Sequence, residues 1–285
     1  MRKQEIFVEL DMDFEIAKYC DVWGRFEKYI HKLEKELSKS FLESFTGIMI
    51  DRLEEVDEII TATFITDNLF QYIKDNKKRN VLIFAHHPFY QKVYDYSWHD
   101  SIFKNLDIIN QNKISIYICH LALDFHIKNS TAYYFAKELI LNPTDRLKYK
   151  YQGVEGEVEC EYYGKHKNDF EKRLNTIKSD FVFYQFSEKD PEIVCCSPGG
   201  GNMLDHIELA KEKGVDTYIT GISEYRGKNS ISRNKSYFQE LERIGLNIIG
   251  LGHYQTEALA MKGLVDDYFN KFNHPVSYFE DNYYK

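Results

Sequence analysis

The sequence contains little cysteine and little proline, five residues of each among 285. The cysteines are Cys20, Cys119, Cys160, Cys195 and Cys196. Their odd number and the absence of CxxC spacing are unlike a disulfide framework or a zinc ribbon, so we expect reduced thiols. No proline-rich or serine-rich segment indicates a linker between domains.

Long apolar runs and an excess of basic residues are also missing. No stretch approaches the roughly 20 apolar residues of a membrane-spanning helix, and charges interrupt every apolar run in residues 1–20, which argues against a signal peptide. The 37 Lys and Arg against 45 Asp and Glu give a formal charge of -8, which disfavours nonspecific nucleic-acid binding. We therefore expect a water-soluble, cytoplasmic protein that binds neither membranes nor nucleic acid.

What the sequence does contain is an alternation of apolar strands and amphipathic helices, with 43% hydrophobic residues overall. Strands are predicted at 47–50, 59–65, 81–85, 114–119, 193–197 and 246–251, with another ending at Thr220. Helices are predicted over 24–45 and 67–77, after a cap at Asn129, from the glycines at 199–201 to Lys213, and around Glu257. This order predicts an α/β fold with a mostly parallel sheet flanked by helices.

Residues 146–191 have a different pattern, with alternating charges, a charged helix near 169–178 and a strand at 181–186. The pattern favours an antiparallel segment, so we expect a second α/β unit inserted between two halves of the first. The predicted division is 1–125 and 247–285 for a metal-binding domain, and 126–246 for the second domain.

Histidines and carboxylates gather where predicted strands end. The positions are His86, His87, His120, Asp124, His253 and Glu257. In open α/β sheets the ligand site lies outside the carboxyl ends of the strands, so these side chains are expected at one edge. His253 and Glu257 are four residues apart at the start of a helix, which places both on one face, suited to gripping a cation.

Two interpretations of these residues remain open at this point. Each histidine alone is typical of an ordinary core or surface residue. Together they fit a site for two metals, because His86 and His87 are adjacent on an extended strand and are expected to serve different ions. Pro88 biases His87 toward that extended geometry, and a carboxylate such as Asp124 would bridge the ions.

Four segments carry a resemblance to a known family. They are VLIFAHHPFY, YICHLALDFH, PGGGNMLDHIELAKEKGVDTYITG and GLGHYQTEALAMKGL, which together span residues 81–264. In this order they resemble the signature segments of the Nif-three-like dinuclear-metal family, often labelled GTP cyclohydrolase I type 2-like. The resemblance implies that two divalent ions are held by His86, His87, Asp124, His253 and Glu257. Zinc, iron, manganese and nickel are not distinguished by such ligands.

The resemblance also implies functions. It points to a hydrolase in which a hydroxide that bridges two metals attacks a nucleotide, phosphoester or cyclic amide, with His120 and His126 as candidates for proton transfer. The alternative is a non-enzymatic metal-binding oligomer that acts through protein partners. Under either interpretation the family resemblance implies a homohexamer.

Some positions depart from the family pattern or have two interpretations. Ile222 stands where the family commonly has an acidic residue, with Glu224 and Arg226 nearby, and this affects the expected substrate pocket more than the metals. The triple glycine 199–201 fits either a tight turn between strand and helix or a backbone site for an anion. It lacks the ending of a P-loop.

Overall fold

The computed structural model describes residues 2–21, 24–151 and 154–284. Within these ranges the chain forms a five-stranded sheet, a six-stranded sheet and a two-stranded hairpin, with helices between the strands. The predicted α/β class is confirmed. None of the described helices combines the length and the apolar content that crossing a membrane requires.

The strands follow one another along the whole described chain. They are β1 (Gly47–Ile50), β2 (Glu58–Phe64), β3 (Val81–His87), β4 (Tyr90–Gln91), β5 (Trp98–His99), β6 (Ser115–Ile118), β7 (Asp145–Lys150), β8 (Glu157–Lys165), β9 (Val182–Tyr184), β10 (Ile193–Ser197), β11 (Thr217–Thr220), β12 (Asn247–Gly250) and β13 (Val276–Tyr278). Most predicted strands are therefore confirmed with ends moved by one or two residues, the usual uncertainty of such boundaries.

Helices fill most of the connections. They are α1 (Lys3–Asp13), α2 (Glu27–Leu33), α3 (Lys39–Ser44), α4 (Asp67–Asp75), α5 (Leu106–Gln111), α6 (Leu121–Asp124), α7 (Thr131–Leu139), α8 (Phe170–Ile177), α9 (Leu204–Glu212), α10 (Ser230–Ile244) and α11 (His253–Asp267). Short 3-10 helices cover Ile16–Lys18, Gly24–Phe26, Phe103–Asn105, Phe269–Phe272 and Asn282–Tyr284.

The five-stranded sheet has the order β1-β6-β3-β2-β13. Its pairings are parallel except that between β1 and β6. All residues of β3 are buried, and they alternate between two cores: Val81, Ile83 and Ala85 pack on one side, and Leu82 and Phe84 on the other. A continuous apolar run is what a strand covered by helices on both faces requires.

The six-stranded sheet has the order β7-β8-β10-β11-β12-β9. Strands β10, β11 and β12 are parallel, while β7, β8 and β9 pair antiparallel at the two sides. The segment predicted to be antiparallel thus shares a sheet with the parallel strands around the triple glycine. The domain boundaries at 125/126 and 246/247 stay predictions.

The single helix predicted over 24–45 is wrong. The structure has α2 and α3 there, separated at residues 34–38, although Phe26, Leu33 and Phe41 all pack in the same core. Ser38 begins α3, since its hydroxyl accepts a hydrogen bond from the Phe41 amide at 3.1 Å. A serine that caps a new helix interrupts a pattern of otherwise continuous helical spacing.

The cap predicted at Asn129 is also corrected, by one residue. The Ser130 hydroxyl accepts a hydrogen bond from the Tyr133 amide at 3.0 Å and begins α7. Asn129 and Ser130 are both favoured residue types at this position. The backbone of Ser130 has the extended conformation of a cap residue, with φ −71° and ψ 156°.

Candidate metal centre

The fold brings the five predicted ligands to one place. His86 and His87 are the last residues of β3, and Asp124 ends α6, the short helix after β6. His253 and Glu257 lie in the first two turns of α11, which follows β12. Since β3 and β6 are parallel neighbours, their carboxyl ends meet at the same edge of the sheet, and the contacts of Glu257 place the beginning of α11 at that edge.

Glu257 occupies the middle of this group. Its Oε2 lies 3.0 Å from His87 Nε2, and its Oε1 lies 3.0 Å from His253 Nε2 and 3.6 Å from His86 Nε2. The Nε2 atoms of His87 and His253 are 3.3 Å apart. Asp124 Oδ1 lies 3.5 Å from His86 Nε2 on the other side. Glu257 therefore contacts three histidines through its two carboxylate oxygens.

His86 presents a nitrogen that has no hydrogen-bond partner among the described residues. Its ring is fully buried, and its Nδ1 donates to the Cys119 carbonyl at 2.9 Å. That bond leaves the Nε2 lone pair directed at the group. Buried polar atoms are normally satisfied, so an unpartnered Nε2 beside two carboxylates is a feature that needs a cause.

Two other histidines are oriented in the same way. His120 Nδ1 lies 3.0 Å from Asp21 Oδ1, and His253 Nδ1 lies 2.8 Å from the side-chain oxygen of Gln91. Each acceptor fixes the tautomer that carries the proton on Nδ1, which turns Nε2 toward the shared centre. For His120 that nitrogen is 3.9 Å from Asp124 Oδ2.

Among the described residues, two groups place three possible metal-ligand atoms within 4.8 Å of one another. They are His86, His87 and His120, and His87, His253 and Glu257. His87 belongs to both. This buried cluster of imidazoles and a carboxylate can bind metal ions, because nitrogen and oxygen ligands at this density match the sites of divalent transition metals.

Burial and mutual attraction shift the pKa values of the cluster in opposite directions. Burial would lower the pKa of His86, but the carboxylates of Asp124 and Glu257 outweigh it and raise that pKa to about 9. Burial and the neighbouring His86 hold the pKa of His87 well below its usual value. For Glu257 burial is outweighed by His253, His87 and His86, and its pKa falls well below the ordinary range.

Asp124 shows the reverse balance, since burial raises its pKa even though His86 and His120 oppose the shift. The Thr131 hydroxyl donates to its Oδ1. The two carboxylates beside His86 therefore make this a place where positive charge is stabilised.

The triple glycine packs directly on the centre from the other sheet. Gly199 has φ +62°, and a Cβ atom built there would overlap Glu257 Oε1. Its amide donates to Thr256 Oγ1 at 3.0 Å, and its carbonyl accepts from the Ile222 amide at 2.9 Å. The turn is thus tight, as one interpretation predicts, and only glycine fits beside Glu257. Anion binding by its amides stays a prediction.

Residues that depart from the family pattern lie at the margin of the site. Ile222 contributes its backbone amide to the glycine turn. Glu224 accepts a hydrogen bond from the Tyr184 hydroxyl at 2.7 Å and pairs with Arg226 at 3.2 Å. Arg226 also donates to the Val93 carbonyl at 2.9 Å, which links this loop to the hairpin of β4 and β5.

The structure places the two predicted proton-transfer residues differently. His120 lies in the cluster. His126 Nδ1 accepts hydrogen bonds from the amides of Lys128 and Asn129, and its ring centroid lies 5.1 Å from that of Phe14. Burial lowers the pKa of His126 despite the neighbouring Asp13. Its contacts among the described residues are with its own loop and the end of the α1 region.

Sequence reasoning missed the residues that orient the ligands. Asp21 and Gln91 hold His120 and His253 from 99 and 162 positions away in sequence. Nothing local distinguishes them, because an aspartate in a loop and a glutamine in a hairpin are ordinary. Thr131, the first residue of α7, is the exception: a hydroxyl seven residues after a proposed aspartate ligand is a recognisable candidate.

Comparison with known proteins identifies the family of the chain. The model of the Duf34/NIF3 (NGG1p interacting factor 3) family matches residues 25–280. A "GTP cyclohydrolase 1 type 2 homolog" of Pyrococcus abyssi (strain GE5 / Orsay) is 25% identical over 283 residues, covering 95% of each chain. Its namesake in Buchnera aphidicola subsp. Schizaphis graminum (strain Sg) is 24% identical over 237 residues, 82% of this chain and 88% of that one.

A solved structure named protein ybgI, of unknown function, superposes with a TM-score of 0.68 at 16% identity. The match covers 99% of this chain and 98% of that one. At this identity the likeness establishes the fold. Because the family model spans most of the sequence, including every proposed ligand, the chain belongs to the Duf34/NIF3 family.

Proposed function

We propose that this protein is a metal-dependent hydrolase with a dinuclear divalent-metal centre. The observation that carries the proposal is the convergence of donors around three buried residues: His86, His87 and Glu257 are buried, Asp124 and His253 are partly buried, and all five reach one point from β3, α6 and α11. Fixed acceptors on Nδ1 turn the Nε2 atoms inward, an arrangement typical of metal-binding histidines. Relatives named GTP cyclohydrolase 1 type 2 homolog support the reaction class.

The donor set fits two ions better than one. The two groups of ligand atoms share His87; Glu257 Oε2 faces His87, and its Oε1 faces both His253 and His86. We therefore propose that His86, His87, Asp124, His253 and Glu257 would together hold two ions. Imidazole and carboxylate ligands suit zinc, iron, manganese or nickel.

When bound, such ions supply Lewis acidity that makes water a nucleophile near neutral pH. The chain's own residues then have separate tasks. The buried imidazoles and carboxylates exclude bulk water, which strengthens electrostatic interactions in the centre. The glycine turn at Gly199 closes the centre from the second sheet and leaves room for the Glu257 carboxylate.

His120 is the proposed proton-transfer residue. Asp21 accepts from its Nδ1 and so turns Nε2 toward the cluster, where it would accept a proton from the attacking group and return it to the leaving group. His126 stays a predicted second residue for proton transfer. Because its ring packs on Phe14, the loop at 126–130 would have to approach the substrate for His126 to act.

Metal analysis tests the centre directly. Protein purified without added metal is expected to contain two divalent ions per chain by elemental analysis. His86→Ala and Glu257→Ala should lose them, while His31→Ala, which changes a histidine of α2 outside the cluster, should keep both. Equal metal content in all four proteins would remove the site assignment.

Activity is tested on the metal-loaded protein with a panel of nucleotides, phosphoesters and cyclic amides. Turnover of a panel member that is lost in Glu257→Ala is the expected result, and His120→Ala should lower turnover with its metal content unchanged. Loss of metal from His120→Ala would instead make that residue a ligand. A fully loaded protein that is inert toward the panel would contradict the hydrolase and favour action through protein partners.

We also propose a cytoplasmic homohexamer, extended from the family resemblance. Six chains of 33.9 kDa amount to about 200 kDa. Light scattering after size-exclusion chromatography measures this mass, and a mass of one or two chains would refute the hexamer. Cell fractionation of the tagged protein tests the location.

A further inference from the structure

A cavity of about 780 Å³ adjoins the metal centre. It lies on the side of His253 that faces away from the Nε2 atoms of the cluster. It lies at the carboxyl ends of β11 and β12, where Gly221 and Gly250 form part of its wall. His253 and Gln91 separate it from Glu257. In open α/β sheets this edge is the usual place for a ligand, and cavities of this size hold small molecules.

The wall of the cavity carries a surplus of positive charge. Its charged residues are Lys92, Lys178, Asp180, Arg226, Lys262 and Glu280. Lys178 pairs with Asp180, and Lys262 pairs with Glu280 at 3.0 Å. Arg226 is engaged by Glu224. Among the described residues no carboxylate lies within 4 Å of the Lys92 ammonium, whose side chain hydrogen-bonds to Tyr94, so no ion pair neutralises its charge at the cavity wall.

Aromatic rings line the same wall next to these cations. The Lys92 ammonium lies 5.5 Å from the centroid of Tyr94, and the Arg226 guanidinium lies 5.0 Å from that of Tyr96. Tyr94 is 65% exposed and Tyr283, which also lines the cavity, is 40% exposed. Exposed ring faces beside a cation that no ion pair neutralises are complementary to a ligand that combines a planar ring with negative charge.

We infer that this cavity binds a small organic anion with a planar ring, its acidic group at Lys92 and its ring against Tyr94 and Tyr96. The ligand site is separate from the metal-binding atoms, since the wall reaches the centre through the Nδ1 side of His253, where Gln91 lies. The inference goes beyond the proposed hydrolase and does not require it.

Two fluorescent probes with the same rings separate the contribution of charge from that of the ring. One is 8-anilinonaphthalene-1-sulfonate, and the other is N-phenyl-1-naphthylamine, which lacks the sulfonate. Lys92→Ala is expected to weaken binding of the sulfonate by about tenfold, the effect of losing a charged hydrogen bond, and to leave the neutral probe unchanged. Tyr94→Ala should weaken both by about fivefold.

A matched variant serves as the control for this test. Lys235→Ala removes the same charge from the exposed side of α10, outside the cavity wall, and should bind both probes like the wild type. Sulfonate binding that is unchanged in Lys92→Ala, or reduced equally in Lys235→Ala, would overturn the inference, even in a protein that binds metal.

Discussion

The two sheets each enclose a buried histidine and carboxylate, yet the two clusters differ in kind. In the second sheet His206 Nδ1 lies 3.0 Å from Glu161 Oε1, and the Ser197 hydroxyl donates to the same oxygen at 3.3 Å. His206 and Glu161 are about as buried as His87 and Glu257. One imidazole here meets one carboxylate, whereas the first sheet gathers four imidazoles around two carboxylates.

A buried polar atom without a hydrogen-bond partner does not distinguish the two clusters, because each cluster has one. Glu161 Oε2 and His86 Nε2 each lack a hydrogen-bond partner among the described residues. What differs is convergence: Glu161 belongs to none of the described groups of three ligand atoms. The comparison teaches that several donors turned toward one point distinguish a ligand site from a buried ion pair that anchors α9 to its sheet.

The largest expected effect is loss of metal from the first cluster and not the second. Glu257→Gln keeps the shape of the side chain but removes the charge between the histidines. It should lower metal affinity more than about 100-fold, which is more than is expected from changing a residue that only hydrogen-bonds to a metal ligand. Glu161→Gln should bind metal like the wild type. Competition with a fluorescent chelator measures both affinities, and equal affinities would erase the distinction.

The second cluster should affect stability instead. Glu161→Ala leaves a buried imidazole without its partner and should lower the free energy of unfolding by about 3 kcal/mol, while metal content stays unchanged. Urea unfolding measures the loss. Glu192→Ala, which removes a carboxylate from an exposed pair with Lys165, should leave stability nearly unchanged. Similar stabilities of the two variants would show that the Glu161 pair contributes little.

Smaller effects are expected for residues that orient ligands. Gln91→Leu removes the acceptor behind His253 and should weaken metal binding by about tenfold, whereas Gln91→Glu retains an acceptor and should restore it. Gln71→Leu makes the same change on α4 and is the control. Isothermal titration gives the affinities, and a Gln91→Leu protein that binds like its control would remove this residue from the centre.

The stability of the protein should depend on pH through the pair of His206 and Glu161. Burial lowers the pKa of His206, but Glu161 and Asp205 outweigh it and the net pKa is raised. A raised folded pKa stabilises the protein fully below the unfolded pKa of about 6.5, and the contribution is lost as pH rises through the folded pKa. Tyr149 packs on the ring at 3.9 Å between centroids and stays neutral, because burial raises its pKa.

Wild type and His206→Gln should therefore differ most in unfolding free energy near pH 6 and less at pH 9. Urea titrations at both values measure the difference. A difference that grows with pH would mean that His206 is held neutral by its surroundings.

The smallest effect is expected at the thiols. Cys20 is exposed, while Cys119, Cys160, Cys195 and Cys196 are buried, and burial raises the pKa of each of these four. The folded protein should expose one fast-reacting thiol per chain to a disulfide reagent. Cys20→Ser should abolish it and change stability by less than about 0.5 kcal/mol. Additional fast thiols would show that the buried clusters open readily.

Local patterns were enough to predict most strands and the gathering of histidines where strands end. The run from Val81 to Ala85 predicts β3 because every residue of a strand covered on both faces must be apolar. His86, His87 and His253 stand out because polar residues directly after such runs fall at the ligand edge of the sheet. Long-range partners were not predictable, because Asp21 and Gln91 gain their roles from tertiary packing. The break at Ser38 was missed because a helical period continues across it.

The order of the strands along the chain has a consequence for folding. The first sheet includes β13, which pairs with β2 across more than 200 residues, and all of β7 to β12 is synthesised between them. His87 likewise meets Glu257 across 170 residues. Contacts this distant form late, after the loops between them have closed. A growing chain therefore carries β3 with its two histidines through the synthesis of the whole second sheet before the cluster can assemble, and a shortened product ending before α11 lacks His253 and Glu257, two of the residues proposed to hold metal.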